Sequence, residues 1–132
     1  MQMNEYQSLA MRTNDNKASE RLANKLTDFT GACWRDKNKT SVGNIINACL
    51  GLSGETGEFN DLIKKWIFHE KPLDEEHAKK EAGDILWYLA LLCEGFGWSL
   101  DEISEMNVDK LKNRYPQGFD TKLANNRATS DV

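Results

Sequence analysis

Apolar residues recur along the chain at intervals of three and four, and no sustained run alternates apolar with polar positions. The first spacing places apolar side chains along one face of an α-helix, whereas alternation is typical of strands. We therefore predict an all-α fold, a helical bundle of four main helices. They are predicted at about residues 16–35, 42–69 and 100–114, with a further helix from 75 to the glycines Gly95 and Gly97.

Helix ends are marked by residues with known terminal preferences. Pro72 and Pro116 lie where the second and the last predicted helices stop, as expected for a residue that cannot continue a helix. Asp74 is predicted to be an N-cap, because its carboxylate can accept hydrogen bonds from the first turn. Ser99 and Glu102 have the spacing of a capping box at the start of the last helix.

The chain has 132 residues, of which 39% are hydrophobic and 29% charged, a size and composition that fit one globular domain. We assign residues 1–119 to that domain and residues 120–132 to a polar, flexible C-terminal tail. No segment is long and apolar enough to span a membrane, and the N-terminus lacks the apolar core of a signal peptide. We therefore expect a cytoplasmic protein that does not bind membranes.

A net charge of −4 argues against binding to a nucleic acid backbone, which requires a basic surface. A small polyanion such as a nucleotide remains compatible with this charge if a metal ion or a few local cations meet its phosphates. The three cysteines form no CxxC pair and the two histidines no HExxH pattern. Neither a disulfide framework nor a zinc site is therefore indicated.

The segment GLSGETGEF, residues 51–59, places three glycines at intervals of three within an otherwise amphipathic helix. Each glycine in a helix interior costs about 1 kcal/mol relative to alanine. One explanation is that another helix or the phosphates of a ligand approach the backbone there, where no side chain stands in the way. The alternative is a break in the helix, with SGETG forming a turn.

Two acidic pairs lie on helix faces that are otherwise apolar: Glu55 with Glu58, and Glu81 with Asp84. One such pair alone is most simply a solvated surface with weak ion pairs. Two pairs on adjacent helices favour a shared interior site, because burying unpaired carboxylates costs several kcal/mol each. Too few basic residues share these faces to neutralise them, whereas a divalent ion would. Oxygen ligands without thiolate or imidazole favour Mg²⁺, with Mn²⁺ as a substitute.

The order of these residues resembles a known signature. Glu55 and Glu58, followed after 22 residues by Glu81 and Asp84, resemble the ExxE…ExxD motif of the all-α nucleoside triphosphate pyrophosphohydrolases. The segments LSGETGEFNDLIKKWIFHEKPLD, EAGDILWYLALL and NVDKLKNRYPQGF are similar to MazG-type proteins, especially the small single-domain forms often carried by phages. The resemblance covers roughly residues 44–119.

This resemblance implies Mg²⁺-dependent hydrolysis of an NTP or dNTP to the monophosphate and pyrophosphate. It makes Glu55, Glu58, Glu81 and Asp84 the metal ligands. Glu58, with Glu55 as the second candidate, is interpreted as the catalytic carboxylate that takes a proton from the attacking water. Relatives prefer dUTP, dCTP or a broad range of nucleotides, so the base stays open.

Substrate-binding candidates combine basic, polar and aromatic side chains. Relatives use polar and basic residues of the last helix, and three here share one face of it; the alternative is that these are ordinary surface residues near the helix C-terminus. Aromatic candidates for the base pocket could equally belong to the core. The candidates are Lys65, Tyr88, Asn107, Lys110, Arg114 and Trp34. Trp87 and Trp98 are assigned to packing.

Subunit pairing is expected, because four helices with this many large apolar groups cannot bury them all in one thin layer. Relatives also complete their bundle this way, so we expect a homodimer or a homotetramer.

A non-catalytic helical module that binds nucleotides or proteins is the alternative function. A di-iron carboxylate protein ranks lower, since it needs an ExxH motif on each of two helices, and only Asp74 with His77 comes near that spacing.

Overall fold

The computed structural model describes residues 2–27 and 40–126, and these residues form helices and connecting segments without a β-strand. The helices are α1 (Met3–Ala10), α2 (Ala18–Thr27), α3 (Val42–Phe68), α4 (Glu75–Phe96), α5 (Leu100–Arg114) and α6 (Thr121–Asn125), with a 3₁₀ turn at Met11–Thr13. The prediction of an all-α fold is confirmed. Residues 28–35, which were predicted to continue α2, lie outside the described residues.

The two long helices begin where capping residues predict. The Ser41 side chain accepts a hydrogen bond from the backbone N–H of Asn44 at 3.2 Å, and α3 follows. Asp74 is the N-cap of α4, as predicted, because its carboxylate accepts from the backbone N–H of His77 at 3.0 Å. Gly97 ends α4 in the left-handed conformation, with φ 70°, which glycine adopts at little cost.

Helices α3 and α4 form an antiparallel hairpin that is the main packed unit of the described chain. Near one end, the backbone N–H of Ser41 donates to the carbonyl of Gly95 at 2.6 Å. Further along, a Cβ atom on Gly51 would stand only 2.1 Å from the ring of Tyr88. Gly51 is thus a point of close approach, where the aromatic ring of α4 lies against the backbone of α3.

The segment of residues 51–59 is continuous helix within α3, so the alternative of a turn at SGETG is wrong. Gly54 and Gly57 differ from Gly51, since a Cβ atom on either would meet nothing within 4 Å. These two positions therefore face open space. No group among residues 2–27 and 40–126 accounts for their lack of a side chain.

The other elements pack less closely. Helix α2 contacts α3. Helix α5 has no extensive contact with any other described helix. Ser99 is the N-cap of α5, but its side chain accepts no capping hydrogen bond, so that half of the predicted capping box does not form. Residues predicted to be a polar tail include the short helix α6, capped by the Asp120 carboxylate, which accepts from two backbone N–H groups.

The described chain buries little apolar surface by itself. Ala48 and Cys93 are its buried apolar residues, whereas many large side chains are exposed. Trp87 and Trp98, which were assigned to packing, are 56% and 45% exposed, and each contacts one neighbouring aromatic ring, that of Tyr88 and that of Phe96 respectively. The most exposed large apolar residues of α3, α4 and α5 are Leu50, Phe68, Leu86 and Met106, at 65–77%. No helix among the described residues is long and apolar enough to cross a membrane.

Candidate active site

Three carboxylates converge in the α3–α4 hairpin. Glu55 of α3 and Glu81 and Asp84 of α4 each place a carboxylate oxygen so that the three oxygens lie within 4.8 Å of one another. Ligands on opposite sides of a Mg²⁺ ion are about 4 Å apart, because each Mg–O distance is 2.0–2.1 Å. The three oxygens are therefore spaced closely enough to share one divalent ion after small side-chain adjustments.

The three carboxylates, which we call the acidic cluster, differ in their exposure. Glu81 is buried, with 7% of its surface exposed, while Glu55 is half-buried and Asp84 is exposed. The cluster is thus closed on the side of Glu81 and open on the side of Asp84. An arrangement of this kind can hold an ion and still admit water and a ligand.

Burial and repulsion between like charges both act on Glu55. The pKa of Glu55 is raised, first because burial disfavours its charged form, then because Glu58, Asp84 and Glu81 are negatively charged nearby. A hydrogen bond with Glu81, which requires one of the two carboxyls to hold a proton, acts in the same direction. In the part of the chain that the structure describes, no lysine or arginine forms an ion pair with these three carboxylates.

One imidazole contacts the cluster. His77 lies one helical turn before Glu81, and its Nε2 is 2.8 Å from Glu81 Oε1. Sequence reasoning missed this residue as a part of the site, although its i, i+4 spacing from Glu81 is a signal that could have found it.

Glu58 lies beside the cluster rather than in it. Its side chain is exposed, and its carboxylate is not one of the three that converge, although its charge contributes to the raised pKa of Glu55. A cavity of about 310 Å³ adjoins it. The cavity is lined by Gly54, Gly57, Glu58, Asp61, Leu62, Lys65, His77 and Glu81.

Lys65 is brought to this cavity, as its prediction as a substrate-binding residue requires. Its ammonium lies 2.5 Å from Asp61 Oδ2, and Lys64 contacts the other oxygen of the same carboxylate. These two hydrogen-bonded lysines lower the pKa of Asp61 to about 2. Asp61 was also missed by sequence reasoning, although it stands four residues before Lys65.

Tyr88 is half-buried in the hairpin. Its ring lies against Gly51 and meets the ring of Trp87 edge to face, with centroids 4.9 Å apart and planes at 88°. Contact with a nucleotide base stays a prediction for this residue. Trp34, the other aromatic candidate, lies outside the described residues.

The three candidates of α5 are not brought to the acidic cluster within one chain, because α5 does not pack along the hairpin. Asn107 and Lys110 are exposed, and the guanidinium carbon of Arg114 lies 6.0 Å from the centroid of the adjacent Tyr115 ring. A single subunit therefore assembles the carboxylates and Lys65 but leaves these three residues elsewhere.

Comparison with known proteins identifies this arrangement. Residues 45–119 match the MazG nucleotide pyrophosphohydrolase domain. The chain belongs to the MazG family. The matched region contains the whole acidic cluster, Glu58, Lys65 and the candidates of α5, and it assigns the chain at family level to the nucleotide pyrophosphohydrolases.

A curated relative supports the phage-type form of this MazG domain. The chain is 26% identical over 91 residues to the Gene 37 protein of Mycobacterium phage L5, an alignment that covers 66% of this chain and 80% of that protein. No solved structure matches the chain. The MazG family is generally metal-dependent, and the acidic cluster is a group of residues that could hold a metal ion.

Proposed function

We propose that this MazG domain hydrolyses nucleoside or deoxynucleoside triphosphates to the monophosphate and pyrophosphate with Mg²⁺, for which Mn²⁺ can substitute. The single observation that carries the proposal is the convergence of Glu55, Glu81 and Asp84 without a neutralising lysine or arginine among the described residues. Three converging carboxylates without a lysine or arginine partner among the described residues are suited to bind a hard divalent ion. The family supplies the reaction class.

The chain's own groups would divide the work as follows. Glu55, Glu81 and Asp84 hold the ion, and the exposed position of Glu58 beside the cavity suits it to complete the coordination from the open side. When bound, the ion neutralises phosphate charge and makes a water molecule more acidic. The α–β phosphoanhydride bond breaks as the water oxygen joins phosphorus, pyrophosphate leaves, and Glu58 accepts the water proton. Glu55 is the other candidate for this last role.

Substrate binding would use Lys65 at the cavity, where its positive charge can meet a phosphate oxygen after leaving Asp61. Tyr88 and Trp34 stay candidates for contact with the base.

We further propose a homodimer or homotetramer, in which α5 of one subunit packs on the exposed apolar surface of another and carries its polar residues towards that subunit's cluster. The residues concerned are Asn107, Lys110 and Arg114.

The proposal is tested by pyrophosphate release from each NTP and dNTP in the presence of Mg²⁺. Wild type is compared with Glu81→Gln, which removes a charged ligand, and with Glu75→Gln, which removes an exposed carboxylate of the same helix. We expect release from at least one nucleotide by wild type and Glu75→Gln, and a loss in Glu81→Gln. Equal release by wild type and Glu81→Gln would contradict the role of Glu81 as a metal ligand. No release by wild type with any nucleotide would contradict the enzyme and favour a non-catalytic module.

A further inference from the structure

The contact between His77 and the buried carboxylate of Glu81 is unusual for this chain. Most of its ion pairs at i, i+3 or i, i+4 join two side chains that are both well exposed, as in the pair Glu76–Lys80, with side-chain exposures of 81% and 68%. In the pair of His77 with Glu81, the carboxylate side chain is only 9% exposed. Both pairs have the same spacing and the same 2.8 Å separation. The two pairs differ in the donor, an imidazole rather than an ammonium, and in the burial of the carboxylate.

Burial makes this contact matter. An exposed ion pair contributes little, because water solvates each partner equally well when they separate. A buried carboxylate has few water molecules to turn to, so a donor at hydrogen-bond distance determines how it is oriented. A donor is useful to Glu81 because the carboxylates of Glu55 and Asp84 converge on it and add negative charge beside it.

We propose that His77 is a positioning residue of the acidic cluster, an inference that rests on the proposed metal-dependent function. Its Nε2–H donates to Oε1 of Glu81, which fixes the plane of the carboxylate and leaves the second oxygen to meet the ion. Ligands of metal sites are commonly held in this way by groups that do not touch the metal, and loss of such a group typically lowers metal affinity by 10–100-fold.

The position of His77 on α4 supports this role. Asp74 caps the helix by accepting from the backbone N–H of His77, so the backbone at this residue is fixed at the first turn. The side chain of His77 is 51% exposed and reaches Glu81 across one turn. Substitution at this residue should therefore leave the fold intact, because the cap is made by a backbone group and the ring is not part of a core.

The test is the affinity for Mn²⁺ alone, measured by isothermal titration calorimetry on variants of the full chain. His77→Gln retains an amide N–H at about the reach of Nε2, whereas His77→Asn is one bond shorter and His77→Leu has no donor. The matched control is Lys80→Leu, which removes the exposed partner of Glu76 from the same helical turn. We expect about 10–100-fold weaker binding for His77→Leu and His77→Asn, and binding within about threefold of wild type for His77→Gln and Lys80→Leu.

Several results would overturn the proposal. Wild-type Mn²⁺ affinity in His77→Leu and His77→Asn would show that the contact does not position a ligand. Mn²⁺ binding by His77→Gln that is as weak as binding by His77→Leu would show that an N–H donor at the distance of Nε2 does not position Glu81. A raised KM for nucleotide with unchanged Mn²⁺ affinity would make His77 a substrate contact instead.

The same titration separates this proposal from the proposed function. If wild type binds no Mn²⁺, or if Glu81→Gln binds as tightly as wild type, the metal site itself is contradicted. If wild type binds, Glu81→Gln does not, and His77→Leu matches wild type, only the role of His77 is lost. Circular dichroism of each variant confirms that it is folded before its affinity is compared.

Discussion

Glu55 and Asp61 lie six residues apart on α3, and their carboxylates have opposite surroundings. Asp61 is held by Lys64 and Lys65, which lower its pKa to about 2. Glu55 is partly buried among Glu58, Asp84 and Glu81, and its pKa is raised. The chain neutralises one carboxylate with its own side chains and leaves the other among like charges.

The contrast shows which acidic residues still need a cation. A carboxylate with its own lysine pair is satisfied within the chain, so it has no use for a metal ion. Carboxylates that repel one another in a partly buried site raise the free energy of the folded state, and an ion placed among them reverses that cost. The opposite pKa directions of Glu55 and Asp61 therefore distinguish a carboxylate that lies among like charges from one that has its own cations.

The largest expected effect is on turnover. Replacing Asp84 with Asn should lower pyrophosphate release by about 100-fold or more, because an ion that stabilises the transition state contributes several kcal/mol and about 2.7 kcal/mol corresponds to 100-fold. The measurement is the initial rate at saturating Mg²⁺, with Glu75→Gln as a folded control whose lost carboxylate is exposed. A rate for Asp84→Asn within tenfold of wild type would contradict a role as a ligand.

Stability in the presence of metal is the second test. An ion that binds only the folded state stabilises it by about 2.7 kcal/mol at 100 times its Kd. Wild type and Asp61→Asn should both show this gain when thermal unfolding in EDTA is compared with unfolding in Mn²⁺, whereas Glu55→Gln should lose most of it. If Asp61→Asn loses the gain as fully as Glu55→Gln does, the two carboxylates do not differ as described.

The glycines of α3 extend the comparison to the backbone. Gly51→Ala should lower the free energy of unfolding by about 1–3 kcal/mol, because the new Cβ would overlap the Tyr88 ring. The Cβ of Gly54→Ala meets nothing within 4 Å in the described part of the chain, so this variant should raise stability by up to about 1 kcal/mol through helix propensity. Urea denaturation in EDTA measures both. A destabilised Gly54→Ala would show that a neighbouring subunit occupies the space beside it.

The smallest effects concern pH in the absence of metal. Because the pKa of Glu55 is raised in the folded state, its favourable contribution is present below its ordinary value of 4.5 and is lost as pH rises through the folded value. Asp61 behaves in the opposite way, contributing above 3.8 and losing that contribution as pH falls towards 2. Urea denaturation in EDTA from pH 3 to 7 should show Glu55→Gln gaining stability relative to wild type as pH rises. A constant difference across this range would contradict the raised pKa.

Much of the fold follows from local signals in the sequence. Asp74 was identified as an N-cap because its carboxylate can accept from the first turn of α4, and α3 and α4 were predicted from apolar residues at intervals of three and four. Pairing of Glu55 with Glu81 and Asp84 followed from placing charges on those stripes. The ExxE spacing did not predict that Glu58 is exposed while Glu55 is half-buried. Residues three apart differ by about 60° around a helix, enough to separate an interior position from an exposed one.

Other features depend on what surrounds the chain. Packing was predicted for Trp87 and Trp98, and substrate binding for the candidates of α5. In the described structure both tryptophans are exposed and α5 has no extensive helix partner. Apolar periodicity identifies the apolar face of a helix but does not show what packs against that face. The contacts of His77 and Asp61 depend on side-chain conformations, which spacing permits but does not determine.

A divalent ion held between Glu55, Glu81 and Asp84 would be visible in an anomalous difference map from a crystal of the protein grown with Mn²⁺. We expect a peak in contact with oxygens of all three carboxylates, with Asp61 still bound to its lysines. Absence of a peak there, together with a peak at Asp61 or another exposed acidic group, would contradict this expectation.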